Sequence, residues 1–355
     1  MELSTIAEAA PGRSLVSFAP YVPSVDAEGR VAFSARRADG TTAVLVGDGS
    51  APARALDVAS AYRDHDVVSH PAIAAGGTCW YAKRGEHEVL LVHDGAIADA
   101  VLDNRHPGLT SLGPLGPTAD PLDERGTGTF AFRGTAQHRP IVGTWRDGIV
   151  TLFDNTTLPR HFGLPLVVNE SVIVRADDVR GRSVVLEMRG QEQHVLLSTG
   201  RALASLGAFV SADEARVTIG VRRTDGHEAL FEIVRESGLV RPLIEAGADF
   251  SSLRGVIAAG AHTVFYATPH DGELAVYLLD REPRRIVGLG DRLRGGAKSL
   301  AARDTHASMS RADLSGPRVS DLALNPVSIH RAGWLAIRLA FEDGLERIVR
   351  AKLGA

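Results

Sequence analysis

The chain alternates apolar and polar residues over short stretches, and turn residues punctuate it at close intervals. In "PSVDAEGRVAFSARRADGTTAVLVGDG" (23–49) a short apolar strand is followed by a turn on Asp-Ala-Glu-Gly. The alternating strand "RVAFSA", a turn on Asp39-Gly40 and the strand "TAVLVG" come next, and "ARALDVA" supplies a fourth strand. Period-2 alternation predicts half-buried strands, and Asp-Gly between two such runs predicts a tight hairpin. The unit reads as a four-stranded antiparallel meander.

The same pattern recurs at "PAIAAGGTCWYAKRGEHEVLLVHDGAIADAVL", at "ERGTGTFAFRGTAQHRPIVGTWRDGIVTLF" and four more times, the last being "NPVSIHRAGWLAIRLAFEDGLERIVRAKL". A repeat of roughly 43 to 51 residues is near the period of a propeller blade. The seventh copy ends after its third strand, and "LSTIAEA" near the N-terminus resembles the fourth strands of other copies. The expected fold is therefore all-β: a seven-bladed β-propeller of four-stranded antiparallel blades, with strand 3–7 completing the last blade. Such closure removes exposed sheet edges. The whole chain, 1–355, reads as one propeller domain with blade units near 17–59, 60–103, 104–154, 155–198, 199–246, 247–289 and 290–355.

The stretch "SVDAEGRVAFSARRADGTTAVLV" (24–46) resembles the unit of bacterial tandem-repeat β-propeller proteins, which runs Asn-Asp-Ala-Gly-x-Val-Ala-Phe, then Asp-Gly, then a third strand. "GLGDRLRGGAKSL" (288–300) and "LNPVSIHRAGWLAIRLAFEDGLERIVRA" (324–351) resemble the final repeat of that family. The resemblance covers essentially the whole chain. It implies the propeller architecture and brings no catalytic motif with it.

Composition narrows the functions. A net charge of −4 without a polybasic run gives no nucleic-acid footprint. The single cysteine, Cys79, excludes an internal disulfide and is expected as a small buried hydrophobe. No apolar run approaches the roughly 20 residues that span a bilayer. The start "MELSTIAEAAPGRS" lacks a basic region and an apolar core, so a cytoplasmic location is expected. There is no Gly-x-Ser-x-Gly elbow, phosphate loop, Cys-x-x-Cys or dinucleotide fingerprint, so no cofactor is expected.

Candidate chemistry lies in the loops between blades. In a four-stranded blade these connectors share one face of the ring with the loops between second and third strands; we call it the connector face. The segment "AYRDHDVVSH" (61–70) is the connector between blades 1 and 2. It carries Tyr62, Arg63, Asp64, His65, Asp66 and His70. Later connectors add Arg105 and His106, Arg160 and His161, and His306. A histidine titrating near neutrality, oriented by a carboxylate, serves as a general acid or base. Arginines hold carboxylates or phosphates through paired donors.

The expected catalytic set is His70, His65, Asp64, Asp66, His106 and His161. The expected substrate-binding set is Arg63, Arg105, Arg160, Tyr21, Tyr62 and His306. No fixed-spacing metal signature is present. His87, His138, His227 and His270 lie in second-to-third strand loops and are expected to be solvated. The leading functional expectation is a cofactor-independent lyase, cyclase, isomerase or hydrolase acting on a small anionic molecule at the channel mouth. The alternative is a non-catalytic propeller that binds a protein or small ligand through the same face. The first predicts convergence of these groups on one cavity. The second predicts an exposed aromatic rim at Phe18, Tyr21 and Phe162. No nucleic-acid or membrane partner is expected, and oligomeric state is left open.

Overall fold

A computed structural model describes residues 2–74, 76–113, 116–119, 129–146, 148–153, 159–190, 192–293 and 316–354, with the side chains of Pro159 and Arg160 excluded. Seven antiparallel sheets succeed one another along the chain, six of them built in sequence order from an inner to an outer strand. Blade 2 shows the plan. Its inner strand runs through Asp66–Val67 and Ala72–Ala74, followed by Gly77–Arg84, His87–His93 and Ala98–Asp103. The inner strand is interrupted in this way in blades 1, 2, 3, 4 and 7. In blades 5 and 6 it is continuous, as Leu203–Ala212 and Phe250–Ala259.

Blade 7 is completed from the other end of the chain. Its outer strand is Leu3–Ala9, paired antiparallel with Glu346–Lys352 in a register that sets Leu3 opposite Ala351 and Ala9 opposite Glu346. Ile6 and Ala9 are buried there, and Glu8 Oε1 accepts from Nε of the buried Arg347 at 2.8 Å. The seven-bladed, closed architecture read from the repeat is the one observed.

The hydrophobic pattern explains the ring. Each strand turns one set of alternate residues towards the preceding blade and the other towards the next. The buried apolar residues accordingly fall into seven clusters, and each cluster lies between two neighbouring blades. Val31, Phe33 and Ala35 of blade 1 pack with Ala336 and Ile348 of blade 7. Val44 on the next strand of blade 1 packs with Val67 and Trp80 of blade 2. Cys79 is fully buried between blades 2 and 3.

Polar stitches reinforce these seams near the axis. Ser34 Oγ donates to Ser69 O, Thr118 Oγ1 to Pro165 O, Ser211 Oγ to Ala258 O and Ser328 Oγ to Pro23 O. Each satisfies a buried hydroxyl with a carbonyl of the next blade. The hairpins are made as predicted: Gly40 takes φ 85° in the turn after Arg36, whose Cα partner is Thr42.

Candidate functional site

The seven inner strands enclose a central channel with a cavity in each half. The larger, 680 Å³, lies away from the connector face and is lined by all seven blades, largely by alanines. Several of its polar side chains are committed to the fold. Asp26 accepts from Arg30 N and Nε at 2.8 and 2.7 Å, Thr118 and Ser211 make the stitches above, and His330 Nδ1 accepts from Ala332 N.

The second cavity, 410 Å³, opens on the connector face. Its wall is mostly apolar, with Pro20, Val22, Leu164, Phe209, Leu322, Ala323 and Leu324. Four side chains with polar atoms join them: Tyr21, His70, Tyr266 and Asn325. Tyr266 Oη is spent, donating to Leu324 O at 3.2 Å and accepting from Leu324 N at 2.8 Å.

Of the other three, two present unspent polar atoms. Asn325, 5% exposed, caps the turn Pro326–Ser328 through Oδ1, which accepts from Val327 N at 3.0 Å. That bond fixes the amide orientation, and Nδ2 donates to nothing among the described residues. Tyr21 Oη likewise has no partner among them. His70 sits in the break of the blade 2 inner strand, 7% exposed, with Gly116 packed on its ring. The Pro117 carbonyl accepts from the ring, while Nε2 is enclosed and has no partner among the described residues. Burial depresses the His70 pKa to about 4, against the smaller opposing pull of that carbonyl. At neutral pH His70 is an uncharged imidazole.

Of the residues singled out from sequence, the structure brings His70 and Tyr21 to this cavity and leaves the rest elsewhere. Arg63, Asp64, Asp66, Arg105 and His161 are exposed. Arg63 Nε reaches Val58 O at 3.4 Å, Asp64 pairs with Arg84 at 3.3 Å, and Asp66 lies opposite Lys83 in the sheet. Arg105 N donates to Asp103 Oδ1, and His161 lies opposite Asp177. His106 is half-buried in the turn after Asp103, to whose carbonyl its N–H donates. The Arg160 side chain and all of His306 lie outside the described residues. The expected convergence of connector side chains on one cavity is corrected accordingly: these loops point their charges at solvent and local turn partners.

His65 is the other correction. His65 was expected in the catalytic set, and it does not reach the channel cavity. A short helical turn at Ser60–Tyr62 folds the connector back, and His65 is buried against Tyr62 and His87. His65 Nε2 is 3.1 Å from His87 Nδ1, and His87 Nε2 is 3.6 Å from Asp103 Oδ2. His87, expected to be solvated, is part of this array. The aromatic rim is corrected too: Phe18 and Phe162 are each 1% exposed and belong to blade seams, so of the three expected rim aromatics Tyr21 alone reaches the mouth. Asn325, Tyr266 and Phe209 were not singled out from sequence. Among the described residues no three His, Cys, Asp or Glu side chains gather as a metal site.

The chain matches no protein-family model and no curated protein. Solved structures do share its fold. The β-propeller domain of the Trilobed protease from Pyrococcus furiosus aligns over 94% of this chain and 95% of its own, with a TM-score of 0.61 and 10% identity. An oligogalacturonate lyase in complex with manganese aligns over 96% and 90%, with a TM-score of 0.55 and 12% identity. A prolyl endopeptidase aligns over 96% of this chain at TM-score 0.57 and 13% identity, and this chain spans only 51% of that protein's length. At these identities the likeness is one of fold. The Pyrococcus furiosus domain is described as having an open velcro topology, whereas here Leu3–Ala9 closes the ring. No helix among the described residues is long and apolar enough to cross a membrane.

Proposed function

We propose that this propeller binds a small molecule with an apolar body in the connector-face half of its channel. The observation that carries the proposal is two unspent polar atoms, Tyr21 Oη and Asn325 Nδ2, on an otherwise apolar wall that also includes the uncharged His70 ring. This is the composition of a ligand site, in which apolar surface supplies affinity and a few polar groups fix orientation. Covering Val22, Leu164, Phe209 and Leu322 gains about 25 cal/mol per Å² of apolar area removed from water. Each polar atom that finds a partner adds about 1 kcal/mol, and leaving Asn325 Nδ2 unmatched beneath a ligand would cost as much or more.

The proton-transfer reading has less support. Some propellers of this fold belong to enzymes, but the likeness carries no residue across. A general base works best with a pKa near the operating pH, and His70 lies far below neutrality at about 4. The arginines expected to hold an anionic substrate, Arg63 and Arg105, are exposed and absent from the cavity wall.

The test is a titration of the ¹⁵N-labelled protein with 4-methylbenzyl alcohol. Saturable shifts are expected at the Asn325 side-chain amide, the His70 ring and the Leu164 and Phe209 backbone amides, and Leu164→Trp, which fills the cavity, should abolish them. Shifts that never saturate, or that appear without these four residues, would overturn the reading.

A further inference from the structure

Phe209 lies on the inner strand of blade 5, Leu203–Ala212, and the strand loses its register there. Leu206 lies opposite Val221 and Val210 opposite Ile219, so Gly207, Ala208 and Phe209 face Gly220 alone. In blade 6 the matching stretch sets two residues, Arg254 and Gly255, against Tyr266. Blade 5 therefore has the wider bulge. Bulges re-aim a side chain and are frequent beside functional sites. Two glycines let the bulge close on its partner strand: a Cβ at Gly207 would fall 3.2 Å from Gly220 O.

The packing between blades does not use the side chain that this bulge delivers. Leu206 and Val210, on either side, are buried in the seam with blade 4. Phe209 is 41% exposed and belongs to none of the seven seam clusters. Among the described residues it is the one exposed Phe, Tyr or Trp, and its ring has no aromatic or cationic partner. An apolar ring kept in water by a backbone irregularity leaves its hydrophobic gain unrealised until something covers it.

The cavity it enters is aromatic as well. Phe209 shares the 410 Å³ space with Tyr21, Tyr266 and the His70 ring, whereas the described wall of the larger cavity has no Phe, Tyr or Trp. The inner strand of blade 5 and the turn Pro326–Ser328, which Asn325 caps, come within 8 Å of one another between Cα atoms. Phe209 and Asn325 thus border one space. Tyr21 Oη and Asn325 Nδ2 are uncharged donors, and no Asp, Glu, Lys or Arg stands on the described wall. A charged group brought here would lose its hydration without meeting an opposite charge. A carbonyl oxygen would instead supply the partner that the buried Asn325 Nδ2 lacks among the described residues.

We propose that the ligand of the channel mouth is an uncharged aromatic carbonyl compound, its ring against Phe209 and its carbonyl oxygen accepting from Asn325 Nδ2. This rests on the reading of the channel mouth as a ligand site and adds the chemical class, with Phe209 as the residue that selects it.

The experiment is an NMR titration of the full chain with 4-methylacetophenone, its saturated counterpart 1-(4-methylcyclohexyl)ethanone, and 4-methylbenzoate. A wall offering apolar area alone would favour the saturated ketone, which has the larger apolar surface. Ring against ring should reverse that order, and wild type should bind 4-methylacetophenone about fivefold tighter than the saturated ketone. It should bind 4-methylbenzoate about tenfold weaker than 4-methylacetophenone. Phe209→Leu should lose the aromatic preference and Phe209→Tyr should keep it, both melting as wild type does because the ring lies outside the core. Asn325→Ser, which retains a capping oxygen, should weaken both ketones about fivefold and leave their ratio unchanged. If that variant does not fold, the Asn325 side-chain amide signals of wild type decide: they should move with 4-methylacetophenone and stay in place with 4-ethyltoluene.

Equal or tighter binding of the saturated ketone to wild type overturns the aromatic assignment and leaves the cavity reading standing, as does a preference that survives Phe209→Leu. Undiminished binding to Asn325→Ser, or amide signals that move equally with 4-ethyltoluene, overturns the carbonyl contact. Binding of 4-methylbenzoate as tight as that of 4-methylacetophenone overturns the uncharged class. Failure of all these probes to perturb the cavity residues overturns the channel-mouth reading itself.

Discussion

Nε2 of His65 lies 3.1 Å from Nδ1 of His87, so one hydrogen must serve both rings. The Asp103 carboxylate, 3.6 Å from His87 Nε2, favours a proton on that nitrogen. His87 Nδ1 is then the acceptor and His65 Nε2 the donor, which leaves a bare, buried lone pair on His65 Nδ1. A second proton would enter a site without an acceptor. Burial lowers the His65 pKa, and the His87 and Arg84 charges add to this against a smaller effect of Asp64. Histidine NMR should therefore show His65 titrating below 6.5, with His87→Gln moving it upward; a His65 midpoint at or above 6.5 in wild type would refute the arrangement.

His70 predicts a stability profile. Its pKa is depressed in the fold, to about 4 from 6.5, so between those values the unfolded chain binds the proton and the folded chain does not. Stability is full above pH 6.5 and declines as pH falls towards 4, by about 3 kcal/mol for complete burial. Urea unfolding of wild type and His70→Gln across this range should show the variant losing that part of the slope. Parallel curves would mean that His70 is not desolvated as described.

Gly116→Ala should disturb the cavity from behind. A Cβ at Gly116 would fall 2.5 Å from His70 O and 2.8 Å from two ring carbons. Overpacking of this kind costs about 2 kcal/mol and moves the His70 ring. Gly200→Ala is the control, with nothing within 4 Å of the added methyl and no positive φ. The comparison is a pair of denaturation midpoints, and equal midpoints would contradict the packing.

Ring closure can be weakened at a single carboxylate. Glu8 Oε1 accepts from Arg347 and Oε2 from Arg13. Burial raises the Glu8 pKa, but these hydrogen bonds outweigh it, so the net direction is down. The contribution is therefore present above about pH 4.5 and lost as pH falls through the folded value. Glu8→Gln should cost about 1–2 kcal/mol near neutrality and less in acid, whereas deleting residues 2–9 should abolish cooperative unfolding. A deletion that melts like wild type would show that the outer strand of blade 7 is dispensable.

The architecture was legible because it rests on local chemistry repeated many times: alternation, hairpin turns and a missing strand with its complement. The site was legible only where repeat position determines direction. His70 and Tyr21 lie on the approach to inner strands, which must face the axis. Arg63, Asp64 and Arg105 stand in longer connectors, where charge density reveals composition but not orientation. Asn325 precedes a proline in the break of the blade 7 inner strand, between Val319–Ala323 and Ile329–His330, a turn signal that also marks the channel.

The pairing of Leu3 with Ala351 has a topological consequence. Once the outer strand of blade 7 comes from the other end of the chain, the folded molecule is cyclic in everything but its backbone, and no blade is intrinsically the last. A short linker joining Gly354 to Leu3, keeping the buried Leu353, with a new opening at the exposed hairpin around Gly238, would make Val240–Glu245 the N-terminal strand that completes blade 5. Such a permuted chain would meet every seam and both halves of the channel unchanged, with its clasp moved across the ring.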